Sequence, residues 1–349
     1  MSGPAAAPDR PAGWADVAVV GASAGGVGVL QELVTRLPAD LGLALLIVLH
    51  VPATGISVLR DILARRTVLA VARAEDGFPL ARGVAVVAPT DHHLLVDGNV
   101  VRLSHGPLVN GHRPAVDPTL ETAARTFGPR TLGVLLSGTL DDGAVGLAAV
   151  RTAGGRTAVQ DPQEAPYPGM PLAAIEAGVV DHVLPTIGLA ELLTVAGAGN
   201  HGPLAPIEDR ERLVLDEDVE AGVVSAFTCP NCGGALWERQ RNGVLTFECR
   251  VGHRYSSASL FQKQGDHLDD ALWAAHRALL ERADLARRMA RRMLRAGAGA
   301  AAERFDRTAE DAERRATIVH EALVRSRHRP NAAPAVEPDR TDAPDSVPR

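Results

Sequence analysis

At 349 residues the chain is long enough for two domains, and with 46% apolar residues it can bury a sizeable core. Its net charge of −6 is mild and gives no reason to expect a nucleic-acid partner. No window approaches the roughly 18–20 apolar residues of a membrane span; "LALLIVLHVP", 43–52, is too short and carries a histidine. The first dozen residues lack an apolar signal core, so the expectation is a cytoplasmic protein without membrane insertion.

In chain order, residues 1–13 are Pro/Ala-rich and read as a disordered N-terminus. Residues 14–196 alternate short β-branched runs with helical stretches: Val17–Val20, Ala44–Leu49, Val84–Val87, Leu132–Leu136, Thr157–Val159 and Val179–Leu184. Near-continuous apolar strands between helices predict an α/β domain with a doubly wound, mostly parallel sheet, Rossmann-like in class. One interruption reads as antiparallel, because "HLLVDGNVVRLS", 93–104, puts Asp97-Gly98 between two strand-like runs. Residues 197–226 shift to Gly/Pro and then to acidic residues, the composition of a linker. A cysteine-containing module is expected at 227–257, a helical hairpin at 258–328 and a disordered tail at 329–349. Ala302, Phe305, Ala309, Ala312, Ala316, Val319 and Leu323 alternate spacings of three and four. That is a narrow seam, suited to pairing within the hairpin, to self-association or to a helical partner.

The first turn of the domain, in "VAVVGASAGGVGVL" (17–30), poses a chemical choice. A phosphate loop needs a Gly-Lys-Ser/Thr ending, and no lysine is present. A dinucleotide fingerprint needs G-x-G-x-x-G and an acidic residue about 20 positions on. Here the glycines fall at 21, 25, 26 and 28, and the second strand ends in His50. "GASAG" does match G-x-S-x-G, in which a sharp strand-to-helix turn presents a serine hydroxyl. The amides of the following helix start are candidates for an oxyanion hole. His50 ends the second strand, and "LLSGTLDDG" (135–143) ends another in Asp141 and Asp142. In a parallel sheet these strand ends share one rim, where ligands bind. A serine nucleophile, a histidine base and an orienting aspartate therefore converge on acyl-transfer chemistry.

At these residues the chain resembles the CheB-type chemotaxis protein-glutamate methylesterases. The resemblance covers about residues 15–195 and rests on "GASAGG", "LHVP", "AEDG" at 74–77, "VNGHRPAVD" at 109–117, "GTLDDG" and "GMP" at 169–171. It implies hydrolysis of glutamate γ-methyl esters on chemoreceptor helices, often with deamidation of glutamine, in phosphorelay-linked signalling. It assigns the nucleophile to Ser23, the base to His50 and the orienting acid to Asp142. Ala24 stands where the family usually has threonine, Leu49 where it has glutamine, and Gly138-Thr139-Leu140 replaces a Gly-Met-Gly turn. The Thr139 amide is then the expected oxyanion donor of that turn, and Ala24, His112, Arg113 and Met170 are the expected cleft residues. Only about fifteen residues precede the first strand, so a catalytic domain without a receiver domain is expected. A signalling scaffold that keeps the fold without catalysis, or a serine acyl hydrolase of small esters, are the other readings of the same residues.

The three cysteines lie in "CPNCGG…FECRVGH", a C-x2-C, sixteen residues, C-x3-H pattern formed by Cys229, Cys232, Cys249 and His253. No disulfide framework follows from an odd number in one short segment. Tetrahedral zinc with structural rather than catalytic duty suits the spacing and makes the module zinc-ribbon-like. A ribbon that has lost its metal and a redox C-x-x-C pair are the competing readings, the latter without the βαβ setting it needs. No cofactor is expected for catalysis.

Overall fold

Six consecutive apolar residues, Val17–Ala22, form β1, and every one is buried. A strand with no polar face needs cover on both sides, and here it is the middle of seven. In this computed structural model, which describes residues 13–54, 57–207 and 222–327, the strand order is β3-β4-β2-β1-β7-β8-β9. The flanking strands are β2 (Ala44–Leu49), β3 (Ala70–Arg73), β4 (Val84–Val87), β7 (Thr131–Leu135), β8 (Arg156–Gln160) and β9 (His182–Leu184). All six pairings are parallel. The expected hairpin forms a separate two-stranded sheet, β5 (His93–Asp97) with β6 (Val100–Ser104).

Alternation along β1 and β2 sorts side chains between two cores. Ala18, Val20, Leu45 and Ile47 face α1 (Gly26–Thr35), α2 (Leu59–Ala64) and α6 (Thr186–Gly197). Val17, Val19, Leu46 and Val48 face α3 (Val116–Phe127), α4 (Ala144–Thr152) and α5 (Gly169–Glu176). Each fully buried Leu, Ile or Val contributes about 1.5–3 kcal/mol relative to leaving it exposed, so both layers stabilise the sheet. The chain moves outward from β1 to β2 and then returns to place β7 on the other side of β1. This reversal opens a crevice at the carboxyl ends of β1 and β7, the usual ligand position in such sheets.

The fold class is thus the expected α/β parallel sheet, with two differences of detail. β3 was not anticipated, because only Val71 of its four residues is buried. The run Val179–Leu184 is a strand only over its last three residues; before them, Thr157 Oγ1 donates to the Val179 carbonyl and the Asp181 side chain accepts from the Thr157 amide. The stretch read as a linker begins packed on the domain: Leu204 is buried and the Ile207 amide donates to Thr126. Its residues 208–221, like residues 1–12 and 328–349 of the termini, lie outside the described residues.

A four-stranded antiparallel sheet follows: β10 (Val223–Thr228), β11 (Ala235–Arg241), β12 (Val244–Cys249) and β13 (Arg254–Ser256). Its own small core is Cys229, Leu236, Phe247, Cys249, Tyr255 and Leu260. Two helices come next, α7 (Ser257–Arg295) and α8 (Gly299–Arg327). The molecule divides into two compact units, one up to Lys263 and one from Gln264.

Within the second unit the helices pair as a hairpin. The Arg287 guanidinium binds Glu313 at 2.7 Å, and His276 lies 3.1 Å from the Ala316 carbonyl. Gly297, at φ +74°, turns the chain between them. The expected seam is real: Ala302, Ala309, Ala312, Ala316 and Leu323 are buried, as are Ala283, Ala286 and Ala290 of α7. Phe305 and Val319 are half-buried at its margin. No helix among the described residues is long and apolar enough to cross a membrane.

Candidate active site

The hydrogen-bond ladder of the sheet continues one step past the strands. Ser23 N–H donates to the Ser137 carbonyl at 2.9 Å, and His50 N–H donates to Ala22 at 3.1 Å. Ser23 and His50, at the ends of adjacent strands, are thereby held side by side. Ser23 then needs a sharp turn into α1, and Gly25 supplies it at φ +70°, a conformation that a side chain disfavours. The buried Ser137 hydroxyl donates to the Ala24 carbonyl at 2.8 Å and accepts from Tyr167 N–H at 3.0 Å, bracing the turn from beneath.

The three residues expected to act together do meet. His50 Nδ1 lies 3.1 Å from Ser23 Oγ, and His50 Nε2 lies 2.6 Å from Asp142 Oδ2. A carboxylate only accepts, so Nε2 carries the proton and Nδ1 is left to accept one from Ser23. Of the two aspartates in the turn, Asp141 is turned away and accepts hydrogen bonds from Ser256 and Ser259.

Asp142 is almost wholly buried, yet well supplied with donors. Its Oδ2 also accepts the Val116 amide at 2.6 Å, while Oδ1 accepts Asn110 Nδ2 at 2.8 Å and the Asp117 amide at 3.4 Å. Two of those amides belong to the first turn of α3, whose free N–H groups favour an anion. Burial pushes the Asp142 carboxyl up, but the His50 contact and these amides outweigh it and hold it well below the usual range. The buried neighbour Asp117 moves the opposite way, raised by burial and then by the charge of Asp142.

The remaining expected site residues divide. His112 stacks on His50 with ring centroids 3.9 Å apart and planes 8° from parallel. Burial, and then the charge of His50, lower its pKa to about 4, so it is neutral at pH 7. Arg113 is committed elsewhere: it donates to Asp91 at 2.6 Å and to the Gly106 carbonyl at 2.6 Å. Met170 is fully buried under the turn after β7. A Cβ at Gly138 would overlap the Met170 sulfur and approach Ser23 Cβ to 3.0 Å, so only glycine fits there. Thr139 is exposed at the crevice rim. The amides of Ala24 and Thr139 meet no acceptor among the described residues. Asn110, Asp117 and Ser137 were not singled out from the sequence, although all three sit inside stretches that were, 109–117 and 135–143.

A second cluster lies in the four-stranded sheet. The ligating atoms of Cys229, Cys232, Cys249 and His253 all fall within 4.8 Å of one another. Two tight turns bring them together, closed by Gly233 N–H to Cys229 (2.8 Å) and Gly252 N–H to Cys249 (2.9 Å). The Sγ atoms of Cys232 and Cys249 are 3.7 Å apart, far beyond the roughly 2.05 Å of a disulfide.

A family model described as CheB methylesterase matches residues 18–193. A protein-glutamate methylesterase/protein-glutamine glutaminase of Symbiobacterium thermophilum is 38% identical over 179 residues, 51% of this chain and 49% of the relative. A like-named relative from Anaeromyxobacter dehalogenans is 41% identical over 180 residues, 52% of each chain. The matched region thus spans about half the length of these relatives. Among solved structures, the Thermotoga maritima CheB methylesterase catalytic domain matches with a TM-score of 0.50 and 32% identity, covering 52% of this chain and 97% of that one. The seven-stranded sheet, the rim that gathers serine, histidine and aspartate, and the family match over the same residues agree: the chain belongs to the CheB methylesterase family.

Proposed function

We propose that the chain is a protein-glutamate methylesterase acting on methylated glutamates of a chemoreceptor or similar signalling protein. The unbroken Ser23–His50–Asp142 contact chain carries this reading. Ser23 Oγ attacks the ester carbonyl carbon as its proton passes to His50 Nδ1. Asp142 stabilises the imidazolium and keeps the ring in the required orientation. The amides of Ala24 and Thr139 are the donors available to the tetrahedral oxyanion, and losing one such donor typically costs about 3 kcal/mol of barrier. His50 returns the proton to the departing methoxide, giving methanol and an acyl-serine. Water then attacks, again with His50 as base, and glutamate is released. Neutral His112 lines His50 without adding a second positive charge to it.

The test is methanol release from a methyl-esterified chemoreceptor. Steady release that disappears on blocking Ser23 with a fluorophosphonate supports the reading. Turnover of simple esters without receptor demethylation favours the small-ester hydrolase, and an unreactive Ser23 favours the scaffold. Ammonia release from receptor glutamines measures deamidation in the same experiment.

We further propose that the Cys3His cluster holds structural zinc. With bonds of about 2.3 Å to sulfur and 2.0–2.1 Å to nitrogen, a tetrahedral ion sets its ligands about 3.5–3.8 Å apart. Cys229 and Cys249 lie 3.6 and 3.5 Å from His253 Nδ1, and Cys232 lies 3.7 Å from Cys249. Purified protein is expected to carry about one zinc per chain, and chelation to abolish the order of β10–β13 while the seven-stranded sheet persists. Metal analysis with circular dichroism checks this; a metal-free protein with an ordered module rejects it.

A further inference from the structure

The loop before α3 and the strand after the cysteine cluster share a short ladder. Asn110 N–H donates to the Arg254 carbonyl at 2.7 Å, and Arg254 N–H donates to Leu108 at 3.2 Å. The Arg254 guanidinium reaches Glu121 at 3.0 Å, a pair whose side chains are 10% and 14% exposed. Two residues later, Ser256 N–H donates to Asn110 Oδ1 at 2.9 Å. The hydroxyls of Ser256 and Ser259 both donate to Asp141 Oδ1, at 2.6 and 2.9 Å. β13 and the first turn of α7 are therefore fastened to the residues directly behind Asp142.

Asn110 stands at the centre of this junction. It is 2% exposed and held at φ +53°, a conformation that asparagine adopts more readily than most residues. Its Nδ2 donates to Asp142 at 2.8 Å and to Asp117 at 2.9 Å, placing one amide group between two buried carboxylates. The orientation is unambiguous, because a flipped carboxamide would set its oxygen against both carboxylates and its NH2 against the Ser256 amide. The Ser256 amide thus holds the oxygen end of Asn110, as the two carboxylates hold its NH2. Asn110, with the Asp117 amide, then holds Asp142 Oδ1, leaving Oδ2 aimed at His50. Only Arg254 and Tyr255 separate Ser256 from His253 of the cysteine–histidine cluster.

We propose that Asn110 is a positioning residue for the Ser23–His50–Asp142 array, and that the four-stranded module sets it through the Ser256 amide. Order at the cluster is thereby transmitted to the reacting serine along His253, Arg254, Tyr255, Ser256, Asn110, Asp142 and His50. The inference rests on the methylesterase reading of Ser23, but it concerns ratios between forms of the protein.

The experiment uses the full-length zinc-loaded chain and measures three things. These are the rate of Ser23 labelling by a fluorophosphonate, kcat and KM on a soluble methyl ester, and the melting of the α/β domain. Asn110→Ala is expected to lower labelling and kcat together by about 10- to 100-fold, the usual penalty for a displacement of about 1 Å. KM should change little; the melting transition should fall, because the Ser256 amide and two carboxylates lose a buried partner, but stay above the assay temperature. Stripping zinc from the wild type should give a loss of the same size. Stripping zinc from Asn110→Ala should add nothing, since the link is already cut. An unchanged wild-type rate after stripping, losses that multiply, or losses that track melting of the α/β domain would each overturn the proposal. Asn110→Gly, which adopts the positive φ without strain, replaces alanine if alanine does not fold, and the stripping arm needs no substitution. A wild-type Ser23 that never labels rejects the esterase reading instead, so the two failures are distinct.

Discussion

Ser23→Ala is expected to reduce methanol release by about 10^4- to 10^6-fold while leaving the fold intact. The size follows from the route, since without Oγ no acyl-enzyme forms and only water held near the oxyanion donors remains. The fold should survive because Ser23 is half-buried and, among the described residues, its hydroxyl makes one hydrogen bond, to His50 at 3.1 Å. Its backbone bond to Ser137 is untouched by the change. His50→Ala should cost about as much, and the double variant scarcely more than either, because residues acting as one unit do not lose activity additively. Methanol assays beside near-ultraviolet circular dichroism check all three. A Ser23→Ala protein working at the wild-type rate would remove the nucleophile from the mechanism.

Asp142→Asn is expected to lower kcat by about 10^3- to 10^4-fold, with little change in KM. The carboxylate accepts on both oxygens: Oδ2 from His50 and Val116, Oδ1 from Asn110 and Asp117. A carboxamide has only one acceptor. If its NH2 points toward His50, it opposes the Val116 amide and selects the imidazole tautomer with the proton on Nδ1, facing Ser23. If it points the other way, it meets the Asn110 NH2 and the Asp117 amide. Both arrangements leave a buried donor without an acceptor, at about 1–3 kcal/mol. The tautomer can be read from imidazole nitrogen chemical shifts. An Asp142→Asn enzyme with wild-type kcat would show that the 2.6 Å contact to His50 is dispensable.

Ser23, His50 and Asp142 were legible in the sequence for a simple reason. Each follows a run of apolar residues, and the carboxyl ends of parallel strands emerge on one edge. The cysteine cluster was legible from spacing alone, because two short turns fix which atoms approach. β3 escaped notice, since a four-residue edge strand with one buried side chain has no readable period. What supports Asp142 escaped for a different reason. Asn110 and Ser256 are 146 positions apart and polar, and no periodicity marks two polar residues that meet only after two separate sheets have formed. Arg113, expected as a cleft residue, illustrates the converse: its guanidinium is paired with the carboxylate of Asp91, which no spacing in the sequence connects to it.

The register of the sheet has a consequence for how the chain tolerates changes in length. β1 and β2 pair from Val17 with Ala44 to Ala22 with Leu49, so the next residue on each strand is Ser23 and His50. The interval between Ser23 and His50 is therefore gauged by two fully buried strands. In the connection after α1, Leu37, Leu41 and Leu43 are buried, so it is at the exposed Ala39 and Asp40 that a change in length alters a surface path and leaves that interval as it was. A single residue added inside β2 would carry His50 about 3.3 Å along the strand axis and turn every later side chain of the strand to the opposite face. The length of the two strands is thus far more tightly constrained than that of the exposed tip which joins them.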